Sequence, residues 1–481
     1  MAGQLTIGAM SSSDHEPSLT AAPASTEWPT TKQHTHYDPS MHRQVLVVGL
    51  GHFGGGVSVT QFLVEQGSQV TVTDRAAETM LGEALKELAG LEIAYRLGGH
   101  ERADFEEADL IVMNPAVAPN AQPWRWIEQL GKAWTAEMNL FLGRCRGRIV
   151  GVTGSNGKST TAAMIAHVLE HAGGTKRRVW LGGNIGRANL LGRVEEIGTE
   201  DIVVLELSSF QLFHLGAMQR SPQVAVVTNL SPNHLDWHGT MAAYRAAKQN
   251  ILRYQRAGDV AMLRGEDAEL DQWAPLTQAT IRRYGAADAE GIELVVPGRH
   301  NRVNAGAAVA VASVFGIDKS SCGAVLADFA GLPHRLAFVR EVRGVRYYND
   351  SIATTPESTL AALKSFEQPK VLILGGYDKG VSFSDLLADI VAAVTVRGVL
   401  LLGQVREKLA AELKILLATS ERGDDLTVRI VDSLDQAVAC AAEMAQDGWV
   451  ALLSPACASY DMFSNFRQRG ETFCELVKDI R

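Results

Sequence analysis

Gly151-Val152-Thr153-Gly154-Ser155-Asn156-Gly157-Lys158-Ser159-Thr160 is the stretch on which the fold turns. It leaves an apolar run, Ile149–Val152, and enters a helical pattern at Lys158. Backbone amides in such a loop cradle phosphates, the lysine meets the β and γ oxygens, and the hydroxyl after it can hold Mg²⁺. A strand, a glycine loop and a helix in that order form the phosphate-binding unit of a parallel α/β sheet. The spacing departs from the usual phosphate loop, because Val152 stands where a glycine is expected. A chance glycine-rich turn is the bland alternative, and Lys-Ser-Thr at the start of a helix argues against it.

Working outward, the same strand pattern recurs. Gln44–Leu50, Gln69–Thr73, Asp109–Met113, Asp201–Glu206 and Gln223–Thr228 are short apolar runs ending in turn chemistry, and Lys370–Leu374, Gly398–Leu402 and Trp449–Leu453 repeat it. Continuous rather than alternating apolar runs indicate parallel strands buried on both faces. Helical stretches lie between them. With 481 residues, the pattern predicts an α/β protein of three consecutive doubly wound Rossmann-like domains, the central one a P-loop mononucleotide-binding fold.

Composition removes several function classes. A net charge of −9 argues against a nucleic-acid partner. No apolar run is long enough for membrane insertion. Five scattered cysteines without a CxxC pair exclude a disulfide scaffold and fit a reducing compartment. Met1–Ser40 is rich in Ser, Thr, Pro and Ala and lacks the basic start and apolar core of a secretory leader, so residues 1–43 are expected to be a disordered tail. Its histidines, His34, His36 and His42, read as solvated rather than metal-binding.

A second glycine loop, Gly49-Leu50-Gly51-His52-Phe53-Gly54, also follows a strand and opens a helix, with Asp74 at the end of the next strand. Taken by itself this fits a dinucleotide-binding dehydrogenase, another nucleotide site, or a packing turn.

Further segments carry a resemblance. They are Gly182-Gly183-Asn184-Ile185-Gly186, Glu206-Leu207-Ser208-Ser209-Phe210-Gln211-Leu212, and Asn229-Leu230-Ser231-Pro232-Asn233-His234-Leu235-Asp236. Tyr244-Arg245-Ala246-Ala247-Lys248, His300-Asn301-Arg302-Val303-Asn304-Ala305, Leu332-Pro333-His334-Arg335, Asn349-Asp350-Ser351 and Leu453-Ser454-Pro455-Ala456-Cys457-Ala458-Ser459 follow in order. Together with TGSNGKST they resemble the Mur ligases and their folylpolyglutamate synthase relatives, over Gln44 to Arg481. Asn349–Ser351 followed by Ala353-Thr354-Thr355, and the Ser454–Ser459 ending, are similar to the glutamate-adding branch.

The resemblance implies an ATP-dependent acid–amino-acid ligase of peptidoglycan precursor synthesis. Its implied substrates are UDP-N-acetylmuramoyl-L-alanine, D-glutamate and ATP, joined through an acyl phosphate, with Mg²⁺ or Mn²⁺ as cofactor. Making an amide in water needs the carboxylate activated, and charge then builds between polyanions that cations and dipoles must offset. Lys158, Glu206, His234 and Lys248 are the implied catalytic set, and Ser159, Glu206, His234 and Lys248 the implied metal ligands, Lys248 as a carbamate formed with CO₂. A partly buried lysine has a depressed pKa and a reactive neutral amine, which suits that modification. On residues alone, capping a helix is an alternative for Glu206 and a place in a core an alternative for His234.

By the same resemblance ATP meets Gly154, Ser155, Asn156, Gly157, Lys158, Ser159, Thr160, Asn301, Asn304, Arg335 and Asp350, although Asn301 and Asn304 could simply cap a helix. The first glycine loop becomes a UDP site: Gly51, His52, Phe53 and Gly54 face the diphosphate and Asp74 and Arg75 the uracil, with Asn114, Asn184, Ser208 and Gln211 further along the same substrate. Glutamate is expected at Thr354, Lys379, Ser459, Tyr460 and Phe466. Ile352 stands where the family pattern has a lysine and Thr355 where it has an asparagine, while Tyr377 and Tyr460 replace the common Asp and Leu. Losing a cation beside a dicarboxylate weakens binding unless Lys379, Arg467 or Arg469 compensates.

The expected division is a UDP-substrate domain over 44–141, an ATP domain over 142–331 and an amino-acid domain over 332–481, closing on one another during turnover. A cytoplasmic location and no protein partner complete the expectation. Two other classes remain open: a NAD-dependent oxidoreductase, which leaves the phosphate loop unexplained, and a catalytically silent relative, which the intact Lys158, Glu206, His234 and Lys248 disfavour.

Overall fold

The computed structural model describes residues 37–51, 55–172, 177–185, 189–378, 380–420, 422 and 425–480. Its strands form three sheets. The first contains β1 (Gln44–Val48), β2 (Gln69–Asp74), β3 (Ile93–Leu97), β4 (Leu110–Met113) and β5 (Trp134–Thr135), in the order β3-β2-β1-β4-β5. The second contains β6 (Arg148–Thr153), β7 (Val179–Gly183), β8 (Ile202–Glu206), β9 (Val224–Val227), β10 (Val260–Arg264) and β11 (Thr280–Tyr284), in the order β11-β10-β9-β6-β8-β7. Every pairing in these two sheets is parallel.

The third sheet contains β12 (Ala337–Val342), β13 (Val345–Asn349), β14 (Lys370–Gly375), β15 (Val396–Leu402), β16 (Thr427–Ile430) and β17 (Val450–Leu453), in the order β12-β13-β17-β14-β15-β16. Only β12 runs antiparallel, on β13. This half-exposed edge strand lacks the continuous apolar run of the buried strands and is absent from those expected from the sequence.

Central strands β4, β8, β9, β14 and β17 are buried at every residue, as helices on both faces of a parallel sheet require. The first two sheets share one continuous apolar core running from Tyr37 and Val45 to Leu270 and Trp273. Trp124 and Trp134 pack on His214 across that junction, at 5.5 and 5.6 Å between ring centroids. The third sheet has cores of its own. Among the described residues no helix is long and apolar enough to cross a membrane.

The chain is packed earlier than the expected tail end at residue 43. Tyr37 is 1% exposed and His42 is 4% exposed. The Tyr37 hydroxyl bonds Ser68, its carbonyl accepts Arg144 Nη2 at 2.9 Å, and His42 Nδ1 faces Asp38. One buried aromatic suffices to fix this short segment, and a composition average over the tail hides it. His34 and His36 lie outside the described residues. The helix Glu137–Arg144 spans the expected boundary at Phe141, since its apolar face serves the core shared by both sheets. The boundary at Gly331 falls in the linker between the helix Lys319–Ala327 and β12.

Candidate active site

The phosphate loop leaves β6 at Thr153 and enters the helix Lys158–His171. Gly154 has φ +148° and a Cβ there would lie 1.9 Å from Thr228 Oγ1, so this position requires glycine. Gly157 has φ +82° and abuts the Asn304 side chain. The loop is tied to the turn after β9. Ser155 Oγ donates to the Ser231 carbonyl and accepts from Ser231 N, both at 2.8 Å. Asn156 N donates to Asn229 Oδ1 at 3.0 Å. Lys158 Nζ donates back to the Ser155 carbonyl at 2.9 Å, folding its charge over the loop. The helix Arg299–Val314 starts at Gly298 without a side-chain cap; Asn301 Nδ2 donates to the Pro297 carbonyl at 2.6 Å, while Asn304 Oδ1 accepts from Thr161 Oγ1 at 3.1 Å and its amide donates to Asn301 Oδ1 at 3.1 Å, bracing the phosphate-loop helix.

Beside this loop stand Glu206 and Lys248. Glu206 ends β8 and is 2% exposed; Oε1 accepts from Asn184 Nδ2 at 3.1 Å, whereas Oε2 is buried with no hydrogen-bond partner among the described residues. Asn184 N also donates to the Glu206 carbonyl at 2.8 Å. Lys248 lies on the helix Met241–Arg253, is 1% exposed and donates to the Gly154 carbonyl at 2.8 Å. Burial pulls its pKa well below the ordinary lysine value; the Lys158 charge adds to the fall and Glu206 opposes it. Burial likewise lowers the pKa of Lys158, against Glu206 and with Arg335. His234 is exposed, in the left-handed conformation with φ +53°, and desolvation with the charges of Lys158 and Lys248 keeps its imidazole neutral to lower pH than usual.

Among the described residues no three His, Cys, Asp or Glu side chains gather as a metal cage. The protein offers an orphaned buried carboxylate oxygen on Glu206, the Ser159 hydroxyl and the His234 imidazole. Mg²⁺ favours one or two carboxylates completed by phosphate oxygens and water, so this donor set fits that ion better than a closed protein site.

In the first sheet, Gly49 and Gly51 have φ of +88° and +68°. Asp74 Oδ2 accepts from Leu50 N and Oδ1 from Ala76 N, each at 2.8 Å. Asn114 Nδ2 donates to the Gly49 carbonyl at 3.0 Å. Asp74 and Asn114 thus shape the loop, and Arg75 beside it is exposed. His52, Phe53 and Gly54 lie outside the described residues. Ser208 and Gln211 form a reciprocal capping box at the start of the helix Ser209–Met218, with Gln211 N donating to Ser208 Oγ at 3.2 Å and Ser208 N to Gln211 Oε1 at 2.9 Å.

The third domain contributes Arg335 and Asp350. Arg335 Nε is buried without a partner among the described residues, and its charge is felt at both Lys158 and Asp350. Asp350 accepts from Leu336 N at 3.1 Å and Ser454 Oγ at 2.8 Å, and burial pushes its pKa up to about 7. At the expected amino-acid pocket, the Ser459 hydroxyl is buried and has no partner among the described residues. Phe466 stacks edge-on with His334, and Tyr377 with Tyr460, at 6.0 and 6.1 Å between ring centroids. Tyr460 is exposed. Thr354 N closes a tight turn onto the Ile352 carbonyl at 2.8 Å, and Thr355 caps the helix Pro356–Leu363. Lys379 lies outside the described residues.

Three family models match in chain order: the Mur ligase MurD-like N-terminal domain over residues 43–132, the Mur ligase middle domain over 152–292, and the Mur ligase glutamate ligase domain over 334–457. A protein of Acetivibrio thermocellus named UDP-N-acetylmuramoylalanine--D-glutamate ligase is 37% identical over 91% of this chain and 96% of its own length. The chain belongs to the Mur ligase family. A Clostridium perfringens protein of the same name is also 37% identical, over 91% of this chain and 97% of its own. Among solved structures, the UDP-N-acetylmuramate-alanine ligase of Thermotoga maritima shares the fold at a TM-score of 0.57 and 22% identity, covering 91% of this chain and 99% of that one. The Thermotoga maritima MurF ligase in complex with ADP does so at 0.54 and 18%, covering 94% and 99%.

Within this Mur ligase, one expected compensator is not free. Arg469 is 2% exposed and donates to Ser351 Oγ at 2.9 Å, to the Ser351 carbonyl at 2.8 Å and to the Cys457 carbonyl at 3.0 Å. Its guanidinium fastens the turn after β13 to the turn after β17 and cannot also face an amino acid. Burial lowers its pKa to about 10. Arg467 is exposed, with its guanidinium 5.8 Å from the Phe466 ring centroid, and remains available. Sequence reading also missed His238, whose Nε2 meets Ser209 Oγ at 2.9 Å and whose pKa is pulled by burial to about 4. It lies two residues beyond the Asn229–Asp236 segment, where nothing in the spacing singles it out.

Proposed function

We propose that this Mur ligase joins the carboxylate of UDP-N-acetylmuramoyl-L-alanine to the amine of D-glutamate, converting ATP to ADP and phosphate, in peptidoglycan precursor synthesis. What carries the reading is the convergence of Lys158, Lys248 and the half-satisfied Glu206 on one phosphate loop, in a chain 37% identical over 91% of its length to relatives bearing that ligase name. The carboxylate oxygen attacks the γ-phosphorus of ATP and ADP leaves. The glutamate amine then attacks the acyl carbon, loses a proton, and inorganic phosphate departs with the former carboxylate oxygen.

Each group has a part in this sequence of events. Lys158 and the loop amides offset charge on the transferring phosphoryl group. Glu206, Ser159 and His234 would hold Mg²⁺ or Mn²⁺, which when bound neutralises phosphate oxygens. Asn184 orients Glu206. The depressed pKa of Lys248 supplies a neutral amine whose nitrogen can add to CO₂ and release a proton, giving a carbamate; this would bring a second carboxylate-like ligand to the site. Arg335 and Asp350 bring the third domain to ATP, with Asn301 and Asn304 at the base. Gly51, Asp74, Arg75 and Asn114 form the UDP end, and Ser208 and Gln211 present a capped helix start towards the same substrate. Thr354, Ser459, Tyr460 and Phe466 line the glutamate end, with Lys379 and Arg467 as the cations. A nucleotide-linked precursor places the enzyme in the cytoplasm.

The assay is phosphate release with UDP-N-acetylmuramoyl-L-alanine, comparing kcat/KM for D-glutamate, L-glutamate and D-aspartate. D-glutamate should give the highest value. A lower value than either competitor refutes the amino-acid assignment.

A further inference from the structure

Trp237 belongs to the short helix Leu235–His238 that directly follows His234, yet its side chain works between two domains. Its indole Nε1 donates to the Ala116 carbonyl at 3.2 Å, in the loop leaving β4. Ala116 N in turn donates to Asn114 Oδ1 at 2.9 Å, and the Asn114 amide holds the Gly49 carbonyl. The indole ring is also packed by aromatics, Phe210 at 4.8 Å, Phe213 at 5.1 Å and His238 at 4.5 Å between ring centroids, in tilted or edge-on contacts. Phe210 and Phe213 sit on the helix that begins just beyond Glu206, and His238 reaches Ser209 at its first residue.

One side chain therefore connects the glycine loop of the first sheet, the exit from β8 that carries Glu206, and the turn that carries His234. We propose that Trp237 is a positioning residue that sets the span between the UDP end of the substrate and its reacting carboxylate. This rests on the ligase reading above. Aromatic packing fixes the indole plane, and the single N–H then sets the register of the Ala116 loop. A single neutral hydrogen bond contributes modestly, so its loss should be felt as a several-fold change rather than as inactivation.

Trp237→Phe keeps a ring and removes the N–H. It should raise KM for UDP-N-acetylmuramoyl-L-alanine about five-fold while KM for ATP and for D-glutamate stays unchanged. Trp237→His, which restores a ring N–H, should recover part of the loss. A general packing role would instead weaken all three substrates together, and that result, or an unchanged UDP-substrate KM, overturns the positioning role. A wild-type chain that releases no phosphate from these substrates overturns the ligase reading itself, so the two failures are distinct.

Discussion

The phosphate loop and the amino-acid pocket are built on opposite plans. Around Lys158 the loop is held by neighbours that are themselves fixed: Ser155 to Ser231, Asn156 to Asn229, Lys248 to Gly154. At the amino-acid end Arg469 ties the two turns together through Ser351 and Cys457, while the buried Ser459 hydroxyl has no partner among the described residues and the exposed rings of Tyr377 and Tyr460 meet only edge-on. A preorganised cradle suits the handling of phosphate charge, which gains most from dipoles that need not move. A fixed backbone frame that carries an unengaged Ser459 hydroxyl suits a substrate that supplies the missing partner. The first two sheets share a core and the third does not, so the amino-acid domain is the one expected to move when substrates bind.

The largest effect should come from the cradle. Lys158→Ala should lower kcat by about a thousandfold or more in a folded protein, because the lost charge acts on the transferring phosphoryl group. Near-normal turnover would break the contrast at once. Lys248→Ala should also abolish turnover, and added acetate should restore part of it if a carboxylate-like group is what the site lacks; an unmodified Lys248 by mass measurement in fully active enzyme would exclude the carbamate.

On the other side, Arg469→Leu should cost stability rather than chemistry. It removes the donor to the buried Ser351 carbonyl, and a buried unsatisfied group costs about 1–3 kcal/mol, so denaturant unfolding of the third domain should shift by about that much. Asp350 predicts a pH signature there. Its folded pKa, about 7, exceeds the unfolded carboxyl value, so the native state binds the extra proton between roughly pH 4 and 7 and stability falls as pH rises through that window. Asp350→Asn should flatten the slope, as read by melting temperature against pH. The smallest effect concerns Ile352→Lys, which should leave the KM for glutamate unchanged or modestly lower; a marked rise would mean that Tyr377 or Tyr460 already fills the space a lysine needs.

These contrasts also decide what could be seen in the sequence. The positions of Gly154 and Glu206 were legible because each stands where a buried strand ends, and that of Lys158 because it opens the helix after the glycine loop; such points are marked by a change from apolar runs to glycine or charge. The roles of Asn304, Asn114 and Asp74 were half legible: their positions were clear, but that they brace loops through specific backbone and hydroxyl groups depends on partners far away in sequence. Arg469 was misread as a spare cation because Ser351, its partner, lies 118 residues earlier. Trp237 carried no signal, since an aromatic in a short turn looks like ordinary packing until Ala116 of another domain is beside it. Tyr37 shows the same limit at the tail, where one buried ring outweighs the composition around it.

The central claim is that this cradle activates a carboxylate as an acyl phosphate before the amide forms. Oxygen-18 placed in the alanyl carboxylate of UDP-N-acetylmuramoyl-L-alanine tests it directly, with ATP and D-glutamate present and the released phosphate analysed by mass. Each phosphate released should carry one labelled oxygen. Phosphate released without label, alongside normal amide formation, would contradict it.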